Sequence, residues 1–288
     1  PWVTFSSNIS ILFMKPKTEA VLFASPMQTS MLMASQSGAN GSSYIQQLQW
    51  SIKGCLDHNS FQTAWEKTLR RHDVFFFIFG PTKTGLHGIQ KADIIQATYQ
   101  FEDWTDNTID KIRKQLRTRL TEDFQKGFPF EGEALCRCLL IQTGANSHEF
   151  IWTSHHALFD GRSRLQIIQE FLELYQVTNS KKKITESPTY CYESYLRWIE
   201  SKTWEESKHF WKAYLKDLTE PTPLEFGYEN KPRTLNRGRT VLEKRLTQRF
   251  SDRLHEWSSD QNYSLNTLIL AGWSIFLSKT SGKQHIMF

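Results

Sequence analysis

The sequence predicts an α+β fold, in outline a two-layer sandwich, and three observations predict it. Apolar residues at helical spacing alternate with short aromatic and β-branched runs between about residues 18 and 179. Two of those runs, 135–142 and 149–153, meet at the turn Gly144-Ala145-Asn146-Ser147 as a hairpin would. From residue 189 onward the pattern turns helical, and no internal repeat runs through the chain.

Each element follows from its residues. Residues 1–17 are apolar and aromatic but lack a basic leader and a small-residue cleavage site, so they read as an N-terminal extension rather than a signal peptide. Residues 44–52 alternate as a strand, and 56–70 carry apolar positions at helical spacing after the candidate cap Asp57. An amphipathic helix is predicted over 109–124, and the hairpin follows. After it, Ser163 is a candidate cap for a helix whose positions Leu165, Ile168, Phe171, Leu172 and Tyr175 recur at helical spacing. Residues 181–188, lysine-rich and ending in proline, read as a linker. Beyond them come helical segments at 192–201, 204–217 and 249–261, a buried helix from Leu265, and the start of a strand at 286–288. The division is therefore 1–17, a lobe over 18–180, the linker 181–188, and a further partial lobe over 189–288. The opening proline and the end within a strand are what a piece of a longer polypeptide shows.

Composition bounds the function. With 39% hydrophobic residues, ten Trp and twenty Phe in 288 residues, there is material for one large core or two smaller ones. The formal charge is +5, the basic residues are scattered among 30 acidic ones, and the run Lys181-Lys182-Lys183 reads as solvated linker, so neither nucleic acid nor membrane is expected as a partner. The four cysteines, Cys55, Cys136, Cys138 and Cys191, have neither metal-ligand spacing nor the density of a secreted scaffold. A reduced, cytoplasmic protein with no metal site is the expectation.

The most informative stretch is Ser154-His155-His156-Ala157-Leu158-Phe159-Asp160-Gly161, which follows the apolar run Phe150-Ile151-Trp152-Thr153. It places two imidazoles, a carboxylate and a glycine where a strand ends. General-base work needs an imidazole fixed within reach of the proton it takes, and a strand end holds a side chain more rigidly than a free loop. Neighbouring strand residues point to opposite faces, so the two histidines cannot readily share an ion, and only one of them can face a given opening. Gly161 allows a tight or positive-φ turn behind them.

Over nearly its whole length the sequence resembles the condensation domains of nonribosomal peptide synthetases. Five segments carry the resemblance in order: Ser25-Pro26-Met27-Gln28-Thr29-Ser30-Met31-Leu32; Leu69-Arg70-Arg71-His72-Asp73 through Phe79; His155-His156 with Asp160-Gly161; Tyr192-Glu193-Ser194-Tyr195-Leu196-Arg197-Trp198; and Phe210-Trp211-Lys212-Ala213-Tyr214-Leu215. The resemblance implies a chloramphenicol acetyltransferase-like sandwich lobe followed by the first part of a second, similar lobe. It implies amide formation between two thioesters carried on the phosphopantetheine arms of donor and acceptor peptidyl carrier domains, beside an adenylation domain, with no cofactor bound directly. By the same resemblance His156 acts on the attacking amine and Asp160 shapes the loop through an ion pair with an arginine, while strand alternation turns His155 away from the face that His156 takes, so His155 reads as structural. Gly161 keeps bulk from the acyl carbonyl and offers a backbone donor to an oxyanion, while Ser25, Gln28 and Trp198 belong to the substrate-binding side.

Two positions depart from the family pattern. Phe76 stands where an arginine is usual, so that if this arginine is the family partner of Asp160 another cation must replace it, Arg162 and Arg164 being near in sequence, and Ser194 replaces an aspartate. These departures keep two other classes open beside the condensation enzyme: a noncatalytic docking scaffold for carrier domains, and a freestanding acyltransferase using coenzyme A thioesters.

Overall fold

The computed structural model of the chain describes residues 22–37, 43–81, 87–128, 134–180, 191–218, 220, 222–223 and 243–288; the predicted extension 1–17 and linker 181–188 lie outside them. Its described elements, in order, are β1 (Leu22–Phe23), α1 (Pro26–Ser37), β2 (Ile45–Lys53), α2 (His58–Arg70), a 3-10 turn (Asp73–Phe76), β3 (Phe77–Pro81), β4 (His87–Lys91), β5 (Thr98–Asp103), α3 (Ile109–Lys126), β6 (Cys136–Gly144), β7 (Ser147–His155), α4 (Gly161–Asn179), α5 (Tyr192–Glu200), α6 (Glu205–Tyr214), α7 (Gln248–Asp260) and α8 (Leu265–Ser281). No helix among the described residues is long and apolar enough to cross a membrane. The chain forms two compact units, Pro1–Lys202 and Thr203–Phe288.

The first unit is organised by a four-stranded sheet in the order β2-β7-β6-β5. The predicted hairpin is β6 and β7, antiparallel, with Gly144 opposite Ser147 at its turn. β2 runs antiparallel to the other side of β7, placing Ile45 opposite His155. β5 pairs parallel with β6 and is joined to it through α3, the crossover a parallel pair requires. A second sheet, β1-β4-β3, is smaller. Its strands are short, and only Phe77 and Phe79 show buried alternation around the half-exposed Ile78, so local pattern did not announce it.

Alternation along β6 and β7 sends Cys136, Cys138, Leu140, Phe150 and Trp152 toward α2 and α4. There the rings pack edge to face: Trp65 lies 5.0 Å from Trp152 and 5.1 Å from Phe150, and Phe61 lies 4.8 Å from Phe171 between their centroids. Burying each such side chain contributes on the order of 2–3 kcal/mol. The predicted cap of α2 is in place, the Asp57 carboxylate accepting from Asn59 N–H and Ser60 N–H. α4 differs from expectation: its cap is Asp160, not Ser163, and Ser163 is the residue whose N–H Asp160 accepts.

The other sheet face carries Leu139, Ile141 and Ile151 against Leu116 and Leu120 of α3. A polar clamp closes this layer. Arg137 donates from Nε to Asp123 Oδ1 at 2.9 Å and from Nη1 to the Gly127 carbonyl at 2.7 Å, while the other carboxylate oxygen of Asp123 accepts from Gln47 at 3.1 Å and from the Thr153 hydroxyl. One carboxylate thus ties α3 to three of the four strands.

α5 belongs to the first unit for a specific reason. Buried Asp73 accepts the backbone N–H groups of Tyr192 at 2.8 Å and Glu193 at 3.1 Å, capping the first turn of α5 from the 3-10 segment. In the second unit the predicted helices are present as α6, α7 and α8, with Leu277 and Ser258 buried. α8, expected to be buried, exposes Ile269, Trp273, Ile275 and Phe276 within this unit. Residues 286–288 form no strand, although Met287 N–H donates to Thr222 Oγ1 at 2.8 Å.

Because Asp123 serves Arg137, Gln47 and Thr153 together, Asp123→Ala leaves a largely buried guanidinium without its counter-charge. It is expected to lower the stability of the first unit by about 2–4 kcal/mol, read as a lower urea midpoint at unchanged slope.

Candidate functional site

β7 ends at His155, and residues 156–158 form the turn that delivers the chain to α4. The intervening Ala157, Leu158 and Phe159 are buried. Phe159 sits 5.0 Å from Trp152 and 5.8 Å from Phe75 between ring centroids, so the loop is fastened to the aromatic core through its middle.

The two imidazoles are held differently. His155 is fully buried; its Nδ1 accepts from Ala157 N–H at 3.1 Å, which requires the proton to be on Nε2, and Nε2 faces Ser35 Oγ at 2.9 Å. Burial, reinforced by the neighbouring His156, pushes its pKa down to about 4. His156 is half-buried. Its backbone N–H donates to the Tyr44 carbonyl at 2.8 Å, and its Nδ1 lies 3.0 Å from the Phe159 carbonyl. A carbonyl only accepts, so in the neutral ring the proton is on Nδ1 and the lone pair is on Nε2. The chemical capacity of the loop is therefore one rigidly mounted imidazole with a basic nitrogen not engaged by Phe159.

Asp160 makes no ion pair among the described residues, which corrects the expected arginine bridge. Phe76 is half-buried in the 3-10 turn, and Arg164 reaches Gln46 Oε1 at 3.4 Å instead. Asp160 accepts from Ser163 N–H at 2.8 Å, and hydrogen bonding from Ser163 holds its carboxyl below the usual carboxylate range. The helix terminus replaces the guanidinium as the stabiliser of the negative charge. Gly161 does not adopt the expected positive φ; it opens α4 with ordinary backbone, and an added Cβ would meet no atom within 4 Å. Nothing in the chain's own packing requires glycine there.

Ser25 and Gln28 also depart from expectation. Both are buried: Gln28 Oε1 accepts from Ser25 N–H at 2.9 Å, Gln28 N–H donates to Ser25 Oγ at 3.2 Å, and Gln28 Nε2 donates to the Ala157 carbonyl at 2.9 Å. Their polar atoms are committed to a capping box at the start of α1 and to the histidine loop, so they support the loop rather than present groups to a ligand. Trp198 is 55% exposed on α5, its ring stacked on Tyr195 at 6.0 Å with Lys202 Nζ 4.8 Å away, and these contacts do not join it to the loop. Ser35 and Tyr44 hold the histidines yet carry no sequence signal, one being a serine within a helix and the other a tyrosine at a loop end.

Among the described residues no three His, Cys, Asp or Glu side chains are arranged to hold a metal ion. A depression of about 620 Å³ on the α3 side of the sheet, lined by Arg119, Lys126, Arg137 and Thr153 among others, includes neither histidine of the pair.

A family model described as "Condensation domain" matches residues 18–288. The chain is 28% identical over 272 residues to a linear gramicidin synthase polypeptide of Brevibacillus parabrevis, covering 91% of this chain and 3% of that protein. It is 26% identical over 290 residues to bacitracin synthase 3 of Bacillus licheniformis, covering 96% of this chain and 4% of that one. Among solved structures, the first condensation domain of the calcium-dependent antibiotic synthetase, in complex with a substrate analogue, superposes with a TM-score of 0.70 at 16% identity, over 92% of this chain and 62% of that one. The starter condensation domain of rhizomide synthetase gives 0.62 at 17% identity, over 71% and 50%. The chain thus spans a small fraction of its curated relatives and shares the fold of solved condensation domains.

The buried imidazole makes stability sensitive to pH. An unfolded histidine takes up its proton near pH 6.5, whereas His155 in the fold resists until about 4, so stability is present above 6.5 and falls progressively as pH drops toward 4. The loss assignable to this ring is about 3 kcal/mol. His58, His72 and His148, also held below their usual range by burial, add to the same slope. The readout is therefore a difference: urea midpoints of His155→Asn, measured from pH 7 to 4, are expected to fall less steeply than those of the parent by up to one proton.

Proposed function

Because this chain belongs to the condensation-domain family, we propose that it catalyses amide formation between two carrier-bound thioesters in a nonribosomal peptide synthetase. The α-amino nitrogen of an acceptor aminoacyl thioester attacks the carbonyl carbon of a donor acyl or peptidyl thioester. A C–N bond forms, the C–S bond breaks, and the donor's phosphopantetheine sulfur leaves as thiol. The reaction needs no cofactor held by this chain, since both substrates arrive on the arms of donor and acceptor carrier domains. An adenylation domain of the same cytoplasmic synthetase would load the acceptor.

The observation that carries this reading is the mounting of His156. Its Nδ1 is committed to the Phe159 carbonyl and its backbone to Tyr44, which aims an unprotonated Nε2 away from both. In the proposed step Nε2 accepts the proton the amine loses as the C–N bond forms, and that proton then reaches the departing sulfur. General-base assistance of this kind is worth roughly a hundred- to ten-thousandfold, and holding the amine in an attacking pose adds to it. Gly161 opens α4 with open space where a side chain would stand, and its N–H is assigned as the donor to the developing oxyanion. His155, Asp160, Ser25 and Gln28 are assigned to holding this arrangement.

The experiment is single-turnover amide formation by the full-length polypeptide with donor and acceptor carriers both loaded. His156→Ala is expected to lower the rate at least tenfold while carrier loading is unchanged. Product formation at the parent rate would remove the assigned role.

A further inference from the structure

One hydroxyl in α1 reaches His156 by two routes. Ser35 Oγ lies 2.9 Å from His155 Nε2, 2.6 Å from the Ser43 carbonyl and 3.0 Å from the Met31 carbonyl. The proton inventory assigns the directions. His155 Nδ1 is already an acceptor, for Ala157 N–H, so Nε2 donates and Ser35 Oγ accepts; the single serine proton then goes to a carbonyl, the nearer being that of Ser43. Ser35 is itself buried at 1% exposure and the His155 ring is fully buried, so no bulk water replaces either bond.

The first route runs through the ring. With Nε2–H satisfied by Ser35, Nδ1 stays available to Ala157 N–H, the amide directly after His156. The opposite tautomer would set Nδ1–H against Ala157 N–H, two donors facing each other. The second route runs through the backbone. Ser35 holds the Ser43 carbonyl, and the next residue, Tyr44, supplies the carbonyl that receives His156 N–H at 2.8 Å. Tyr44 adopts φ +61°, a left-handed conformation unfavourable for a tyrosine, and strain of this kind persists only where surrounding bonds over-determine it. Both flanks of His156 are thus fixed, its own amide by Tyr44 and the following amide by His155, and both depend on Ser35.

We infer that Ser35 is a positioning residue for the condensation step, setting the location of His156 without touching substrate. This rests on the catalytic role given to His156 above, and the test separates the two. In the full-length polypeptide with both carriers loaded, Ser35→Ala is expected to lower the single-turnover rate constant roughly tenfold or more, with the acceptor carrier's apparent KM within about twofold of the parent. Ser35→Thr, which keeps the hydroxyl, is expected to recover the rate to within about threefold. If Ser35 acts through His156, Ser35→Ala placed on His156→Ala has little further effect. The inference is overturned if Ser35→Ala leaves the rate unchanged while His156→Ala slows it, or if the serine substitution slows the two backgrounds equally. It is also overturned if the threonine variant is as slow as the alanine variant. A parent-like rate for His156→Ala instead overturns the reading beneath it. Should Ser35→Ala fold poorly, Ser35→Cys keeps a weaker acceptor of similar size, and the same cycle is read on it.

Discussion

The structure around the candidate site depends on satisfying one buried imidazole. His155 is excluded from water, and a polar ring in that position is tolerated only when both nitrogens have partners. Ser35 and the Ala157 amide supply them, one from a helix that precedes the sheet and one from the loop being organised. Meeting that requirement brings α1, the start of β2 and the end of β7 to one place, and the half-buried neighbour His156 is fixed as a consequence. The paired histidines are thus unequal by construction: the first is a buried joint whose charge the fold suppresses, and the second is the group left with a usable lone pair.

The rest of the first unit holds that joint still. Aromatic rings from α2, α4 and β7 form a continuous block, and the loop enters it through Phe159. The opposite face is closed by a small apolar layer and a charged clamp centred on Asp123. Gln28 grips the loop carbonyl that His155 leaves open, so Ala157 is held through its N–H by one side chain and through its C=O by another. Rigidity comes from several modest bonds converging on few atoms, the arrangement an active-site loop needs when its own sequence is short and mostly apolar.

Much of this was legible before the structure. The β6–β7 hairpin, the Asp57 cap, the helices of the second unit and the strand end bearing the histidines all follow from periodicity and turn chemistry, because those signals are local. What sequence missed is non-local. α1 has little amphipathic pattern, since Gln28, Thr29 and Ser35 are buried polar residues, and Gln28 and Ser35 each bond a residue of the histidine segment more than a hundred positions away. The family resemblance alone places Ser25 and Gln28 on the substrate-binding side, and that resemblance does not separate a residue that touches a ligand from one that supports the loop beside it. The parallel strand β5 and the small sheet escaped notice because short strands carry too few alternations to register. Asp160 was expected to need an arginine; the backbone of the helix it begins meets the same electrostatic demand.

The capping of α5 by Asp73 bears on how such proteins are recombined. A helix whose first amides are bound by a side chain from 119 positions earlier travels with that side chain, whatever the sequence between them resembles. The compact unit accordingly continues to Lys202, past the lysine-rich stretch that invites a cut. Chimeras joined within residues 181–188 would set an aspartate from one parent against a helix start from the other, so the cap forms only where both parents place those groups alike. Junctions beyond Lys202 transplant donor and acceptor together.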